Sequence, residues 1–116
     1  MAAKPTIHVI GTGGTISGAG PSATTAAYQS GRVDASDLVA AIEGLDRLAE
    51  VRAETLFATG SENLGPVQWR MLARRIEELT ETADIDGVVV THGTDTLEEA
   101  AFFLDLVCKP KKPVVL

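Results

Sequence analysis

Hydroxyl and carboxylate side chains stand together at three places in this sequence, each closely following an apolar segment. The members are Thr12, Thr15, Ser61, Glu62, Thr94 and Asp95. Such a set indicates nucleophilic chemistry, because a threonine hydroxyl attacks an amide or ester carbonyl when a base takes its proton and N–H groups stabilise the oxyanion. The glycines around Thr12 offer backbone N–H donors, and Asp95 or Glu62 could bind a substrate ammonium group.

Metal chemistry is not indicated. The two histidines, His8 and His92, do not belong to a cluster with the spacing of metal ligands. We interpret both as structural residues, and we expect neither a metal nor another cofactor.

Alternating strands and helices must position the polar groups. Strands are predicted at residues 6–10, 50–57, 88–90 and from Val114 onwards. Helices are predicted from Asp34 with Ser36 as the cap, from Pro66, and from Thr96, where Thr96 and Glu99 have the spacing of a capping box. This order predicts an α/β fold with a mainly parallel sheet and flanking helices in three layers.

The predicted topology places the three polar clusters together. The carboxyl ends of parallel strands meet at one edge of a sheet, which is where open α/β proteins bind ligands. The run Val88, Val89, Val90 lacks alternation, which predicts a central strand covered on both faces. We therefore expect one polar crevice at the rim of a buried sheet.

The glycine-rich stretch after the first strand invites comparison with a nucleotide-binding loop. Gly11 and Gly13 match the dinucleotide pattern, but Ile16 stands where its third glycine belongs and no helical pattern follows. We therefore disfavour a nucleotide site. Residues 17–31, with Tyr28 as their one aromatic residue, are either a lid over a site or a plain linker, and the pattern does not choose between them.

Composition narrows the classes of partner. The net charge of −6 argues against nucleic acid as a partner, since phosphate binding needs clustered Lys and Arg.

Cys108 is the one cysteine and lies on the apolar side of the last helix, so we expect a core residue rather than a reactive thiol. No apolar run approaches the ~20 residues that span a membrane. We expect a cytoplasmic protein, or an exported one given without its leader.

Particular motifs identify a family. Residues 10–16 and 86–99, supported by residues 60–63 and 112–116, resemble the amino-terminal part of bacterial-type L-asparaginases of the asparaginase/glutaminase family. The resemblance covers nearly the whole chain. Its most specific part is Thr-His-Gly-Thr-Asp-Thr at residues 91–96.

The resemblance implies hydrolysis of L-asparagine to L-aspartate and ammonia through a β-aspartyl-threonine intermediate, with L-glutamine as a possible second substrate. Thr15 matches the nucleophile, and Tyr28 matches the tyrosine of the flexible loop. Thr94 and Asp95 match the group that orients or activates the attacking water and binds the substrate amine. The pair that grips the amino-acid end of the substrate is matched by Ser61 and Glu62.

The resemblance also implies parts that these residues lack. Residues 1–116 correspond to an incomplete amino-terminal catalytic domain, without the lysine that pairs with the second threonine and without the carboxyl-terminal domain. The family forms homotetramers, and we expect the 116 residues alone to be inactive. Two alternatives remain open: the asparaginase-like subunit of a glutamyl-tRNA(Gln) amidotransferase, and a non-catalytic amino-acid-binding module.

Overall fold

The computed structural model describes residues 3–19 and 29–116, which form an α/β fold. The elements in order are β1 (Thr6–Gly13), α1 (Ala35–Ala40), α2 (Leu45–Leu48), β2 (Glu50–Thr59), α3 (Pro66–Glu81), β3 (Gly87–Thr91), α4 (Leu97–Val107) and β4 (Val114–Val115). Single turns of 3₁₀ helix cover Thr15–Ser17, Ser61–Asn63 and Thr94–Thr96. The predicted alternation of strand and helix is confirmed.

The strands form one parallel sheet in the order β2-β1-β3-β4. β1 is central, and its residue Ile10 pairs with Glu54 of β2 on one side and with Val90 of β3 on the other. The predicted parallel sheet with flanking helices is thereby confirmed. The carboxyl ends of β1, β2 and β3 lie side by side at one edge.

One face of the sheet packs against α3 and α4 and forms the main core. Ile10, Val88 and Val90 point to this face and meet Leu72 and Ile76 of α3. All five side chains are at most 2% exposed. The expected apolar stripe of α3 is confirmed, with Trp69 half-buried at its start and its ring centroid 5.7 Å from that of Phe103 on α4.

The opposite face is covered less completely than the sequence suggests. An apolar cavity of about 560 Å³ lies there, lined by Val9 and Val89 of the sheet and by Leu38 and Ile42 from the α1 side, among others. The expectation that the valine run is covered on both faces is therefore wrong for Val89, which is half-buried. The covering helices are short because Gly44, with φ +79°, separates α1 from α2 where the sequence suggested one helix.

Helix starts follow the predicted pattern only in part. Pro66 is the first residue of α3, and the Gly65 N–H donates to Gln68 Oε1 at 3.1 Å. The N-cap of α1 is Asp34, not Ser36. Thr96 is the N-cap of α4, but the predicted capping box is wrong: its side chain makes no bond to the helix, and its hydroxyl donates to the Ser61 carbonyl oxygen at 2.9 Å.

Cys108 behaves as expected. It belongs to the core cluster, and its thiol lies 3.6 Å from the Ala73 carbonyl oxygen. Burial, with a smaller contribution from the negative charge of Glu77, raises the pKa of the thiol. Both effects oppose formation of the reactive thiolate.

None of the helices in the described ranges is long and apolar enough to cross a membrane.

A charged cluster lies between the sheet and α3. Arg75 of α3 binds Glu54 of β2 through two bonds, with Nε to Oε1 at 2.6 Å and Nη2 to Oε2 at 3.1 Å. His8 of β1 is buried beside this pair, with Nε2 at 3.5 Å from Glu54 Oε1. Burial lowers the pKa of His8; Glu54 opposes this effect, while Arg75 and Arg52 add to it. His8 is thus structural, as the sequence suggested.

This lowered pKa predicts a loss of stability in acid. Below its ordinary pKa of 6.5 His8 is protonated more readily in the unfolded chain than in the folded one, so acidification from neutral pH favours unfolding. The change continues until the pH has fallen through the lower pKa of the folded protein. We expect His8→Gln to flatten the dependence of unfolding free energy on pH between about pH 7.5 and 5.5.

The measurement is urea denaturation of both proteins across this pH range. The carboxylates are common to both, so the difference between the two curves isolates His8. Equal slopes would show that His8 does not contribute.

Candidate active site

A small pocket of about 30 Å³ lies where the carboxyl ends of β1, β2 and β3 meet. Its lining comes from the loops after these strands and from Ser30: Gly14, Thr15, Ser30, Gly60, Ser61, Glu62, Gly93, Thr94 and Asp95. The structure therefore brings together five of the six members of the predicted polar set, the exception being Thr12. Tyr28 lies outside the described residues, and its part stays a prediction.

The first loop grows directly out of β1, which runs three residues further than predicted. Its pairing with β2 shifts between Gly11 and Gly13. A Cβ atom on Gly13, at φ +94°, would lie 2.2 Å from the Thr59 carbonyl oxygen. That carbonyl accepts the Gly14 N–H at 2.8 Å, so a side chain at Gly13 would disrupt this contact between the loop and β2. Thr15 follows at the start of its 3₁₀ turn, with its side chain exposed.

Thr12 does not belong to the pocket, although the sequence grouped it with Thr15. Its side chain is fully buried, and its hydroxyl donates to the Thr91 carbonyl oxygen at 2.8 Å. The hydroxyl thus joins the end of β1 to the end of β3. We correct its role from a candidate reactive group to a structural one.

The second loop is the 3₁₀ turn Ser61–Asn63 after β2. Ser61 is 2% exposed, whereas the Glu62 side chain is exposed. Asn63 Nδ2 donates to Thr59 Oγ1 at 3.1 Å and to Glu62 Oε1 at 3.4 Å. A Cβ atom on Gly60 would overlap the Glu62 carboxylate, which therefore lies back over the turn.

The third loop follows β3 and carries Thr94 and Asp95, both exposed. Gly93 packs tightly in front of them. A Cβ atom there would lie 2.7 Å from Ser61 Oγ and 3.1 Å from the Gly14 Cα atom. His92 is buried, with Nδ1 at 2.7 Å from the Gly93 carbonyl oxygen, and it does not line the pocket.

Residues 19 and 29, which lie on either side of residues 20–28, are paired with each other. Ala19 and Gln29 exchange two backbone hydrogen bonds of 3.1 Å as an isolated antiparallel bridge. The Gly31 N–H donates to the Gly14 carbonyl oxygen at 3.3 Å. Whether residues 20–28 form a lid lies outside the described residues.

The sequence did not single out Ser30 and Gly93. Ser30 lines the pocket from the far end of a segment without periodicity, and no local signal marks it. Gly93 lies inside the motif at residues 91–96, and only the structure, where its φ is −68°, shows that no turn requires a glycine there. A glycine with ordinary backbone angles indicates close approach of another chain segment. Across the described ranges, no group of three His, Cys, Asp or Glu residues has a metal-binding arrangement.

Comparison with known proteins agrees with this geometry. The family model described as "Asparaginase, N-terminal" matches residues 6–116, so the chain belongs to the asparaginase family. The chain is 45% identical over 111 residues to a glutaminase-asparaginase of Pseudomonas fluorescens biotype A, covering 95% of this chain and 31% of that protein. It is also 45% identical over 114 residues to L-asparaginase 2 of Escherichia coli K12, covering 98% and 32%.

A solved structure has the same fold. The probable cytoplasmic L-asparaginase from Campylobacter jejuni superposes with a TM-score of 0.88 at 41% identity, covering 97% of this chain and 35% of that one. The chain thus spans about a third of the length of these relatives. The predicted resemblance is confirmed.

The Gly93 contact yields a stability prediction. Gly93→Ala should lower the unfolding free energy by about 2–3 kcal/mol, because the new methyl group overlaps Ser61 and the Gly14 backbone. Gly65→Ala is the matched control, since its backbone is also extended and the nearest atom to its Cβ would be 3.9 Å away. We expect the control to cost less than about 1 kcal/mol, for a weaker N-cap. Urea denaturation measures both, and equal losses would contradict the steric argument.

Proposed function

We propose that the protein is an L-asparaginase, which hydrolyses L-asparagine to L-aspartate and ammonia with Thr15 as the nucleophile. The observation that carries the proposal is the pocket itself. A chain of the asparaginase family brings Thr15, Thr94 and Asp95 to the same small pocket from loops after two neighbouring strands. Ser61 and Glu62 complete its lining from the loop after β2.

The first chemical step forms an ester. Thr15 Oγ attacks the side-chain amide carbonyl of asparagine, and its proton passes to a base, which is Tyr28 or a group outside these 116 residues. The tetrahedral intermediate then collapses: the C–N bond breaks, the nitrogen takes a proton and ammonia leaves. Thr15 now carries a β-aspartyl ester. An exposed hydroxyl at a turn suits this role, since substrate can reach it.

The second step hydrolyses the ester. Thr94 and Asp95, at the entrance to α4, orient or activate a water molecule that adds to the ester carbonyl; the C–O bond to Thr15 breaks and its oxygen regains a proton. Ser61 and Glu62 hold the amino-acid end of the substrate in both steps, and Asp95 also faces the substrate amine. A carboxylate pair near an ammonium group favours the charged amine over a neutral analogue.

The complete protein extends this proposal. We propose a homotetramer in which a further domain and neighbouring subunits complete the site, as the resemblance implies; light scattering on the purified protein measures its mass.

The substrate and the location are further proposals. L-Glutamine is a second candidate substrate, because one relative is named a glutaminase-asparaginase. We propose a cytoplasmic location, as named for the Campylobacter jejuni protein, with export as the alternative, since a Haemophilus influenzae relative is named periplasmic. An amidotransferase subunit is not favoured, since these relatives are named as asparaginases.

The decisive experiment is ammonia release from L-asparagine by the natural gene product and its Thr15 variants. Thr15→Ala should lower kcat by a factor on the order of 10³ or more, because the bond-forming oxygen is lost. Thr15→Ser should keep measurable activity. Thr82→Ala is the control, as it removes a threonine hydroxyl at the far end of α3.

Two results would contradict the proposal. Ammonia release that survives Thr15→Ala would exclude Thr15 as the nucleophile, and a wild-type protein without asparagine-dependent release would exclude the activity. In the same assay we expect the 116-residue chain alone to be inactive. L-Glutamine, tested in parallel, measures the side activity.

A further inference from the structure

Thr96 makes a contact that its position in the helix does not explain. It is the N-cap of α4, where a threonine hydroxyl ordinarily accepts an N–H of its own helix. Here the hydroxyl instead donates to the Ser61 carbonyl oxygen at 2.9 Å, across 35 residues of sequence. The bond therefore joins the loop that carries Thr94 and Asp95 to the loop that carries Ser61 and Glu62.

The second loop does not need this bond in order to form. The Ser61 carbonyl also accepts the Leu64 N–H at 3.0 Å, and the Gly60 carbonyl accepts the Asn63 N–H at 3.0 Å. These two bonds close the turn within its own residues. The Thr96 hydroxyl is an additional donor to a carbonyl that already has one partner, so its effect is on where the turn lies.

A steric contact beside this hydrogen bond limits how close the two loops can come. Gly93 has no room for a side chain against Ser61, so the two loops already touch and cannot move closer. The Thr96 bond opposes their separation. Contact and bond thus act on the two loops whose residues Ser61 and Thr94 line the pocket.

We propose that Thr96 is a positioning residue, which sets the distance between the loop that grips the amino-acid end of the substrate and the loop that carries Thr94 and Asp95. This inference rests on the proposed function. Thr96 does not line the pocket and is not assigned a chemical step. Its loss should widen the binding site while Thr15, held by the separate contacts of Gly14 with Thr59, stays in place.

The experiment compares Thr96→Val with Thr96→Ser in the natural gene product. Valine keeps the shape and removes the donor, and serine keeps the donor. We expect Thr96→Val to raise KM for L-asparagine roughly five- to tenfold, the effect of one lost hydrogen bond on binding, with kcat changed less than about twofold. Thr96→Ser should keep the wild-type KM within about twofold.

Thr82→Val is the matched control. The Thr82 hydroxyl also donates to a backbone carbonyl, that of Leu79 at 2.7 Å, but at the end of α3. It should leave both KM and kcat unchanged. Thermal unfolding of each variant separates a change in binding from a change in folding.

The outcomes distinguish this inference from the proposed function. If the wild-type protein releases no ammonia from asparagine, the proposed function fails. If it is active and Thr96→Val keeps the wild-type KM, or lowers kcat alone, the positioning role is wrong. A raised KM in Thr96→Ser would also overturn it, because the donor is still present. If Thr96→Val does not fold, Thr96→Ala replaces it, and failure of both to fold would assign Thr96 to stability alone.

Discussion

The candidate site depends on close backbone packing between the loops that follow β1, β2 and β3. Gly14 and Gly93 meet almost Cα to Cα, and Ser61 fills the remaining space against Gly93. Parallel pairing delivers the three loops to one edge, but it leaves the loops of neighbouring strands a spacing of about 4.8 Å apart, and β1 separates β2 from β3. Glycine at the points of contact lets the loops close this gap, so that side chains on different loops can act on one small molecule.

Backbone hydrogen bonds hold the loops in this arrangement. The Thr59 carbonyl accepts the Gly14 N–H, and the Gly14 carbonyl accepts the N–H groups of Ser17 and Gly31. The Arg75 and Glu54 pair lies on the face of the sheet that packs against α3. This charged pair therefore lies away from the polar rim.

Local patterns predicted the elements and the crevice, but not the partners that lie far apart in sequence. The alternation of strands and helices predicted the parallel sheet. Because the carboxyl ends of parallel strands meet at one edge, it also predicted that Thr15, Ser61 and Thr94 lie together. The capping box at Thr96 failed because its actual partner, the Ser61 carbonyl, is 35 residues away. The valine run failed in part because coverage of Val89 depends on the length of α1 and α2, which Gly44 shortens.

Three threonines show why residue type alone does not assign the role of a hydroxyl. Thr12, Thr15 and Thr96 carry the same hydroxyl near the same edge. Thr12 is fully buried and donates to the Thr91 carbonyl, and Thr96 donates to the Ser61 carbonyl, so in each the hydroxyl serves to join two segments of backbone. Thr15 is exposed and lines the pocket. The fold thus separates hydroxyls that join backbone segments from those on the pocket wall, where Thr94 is exposed as well as Thr15.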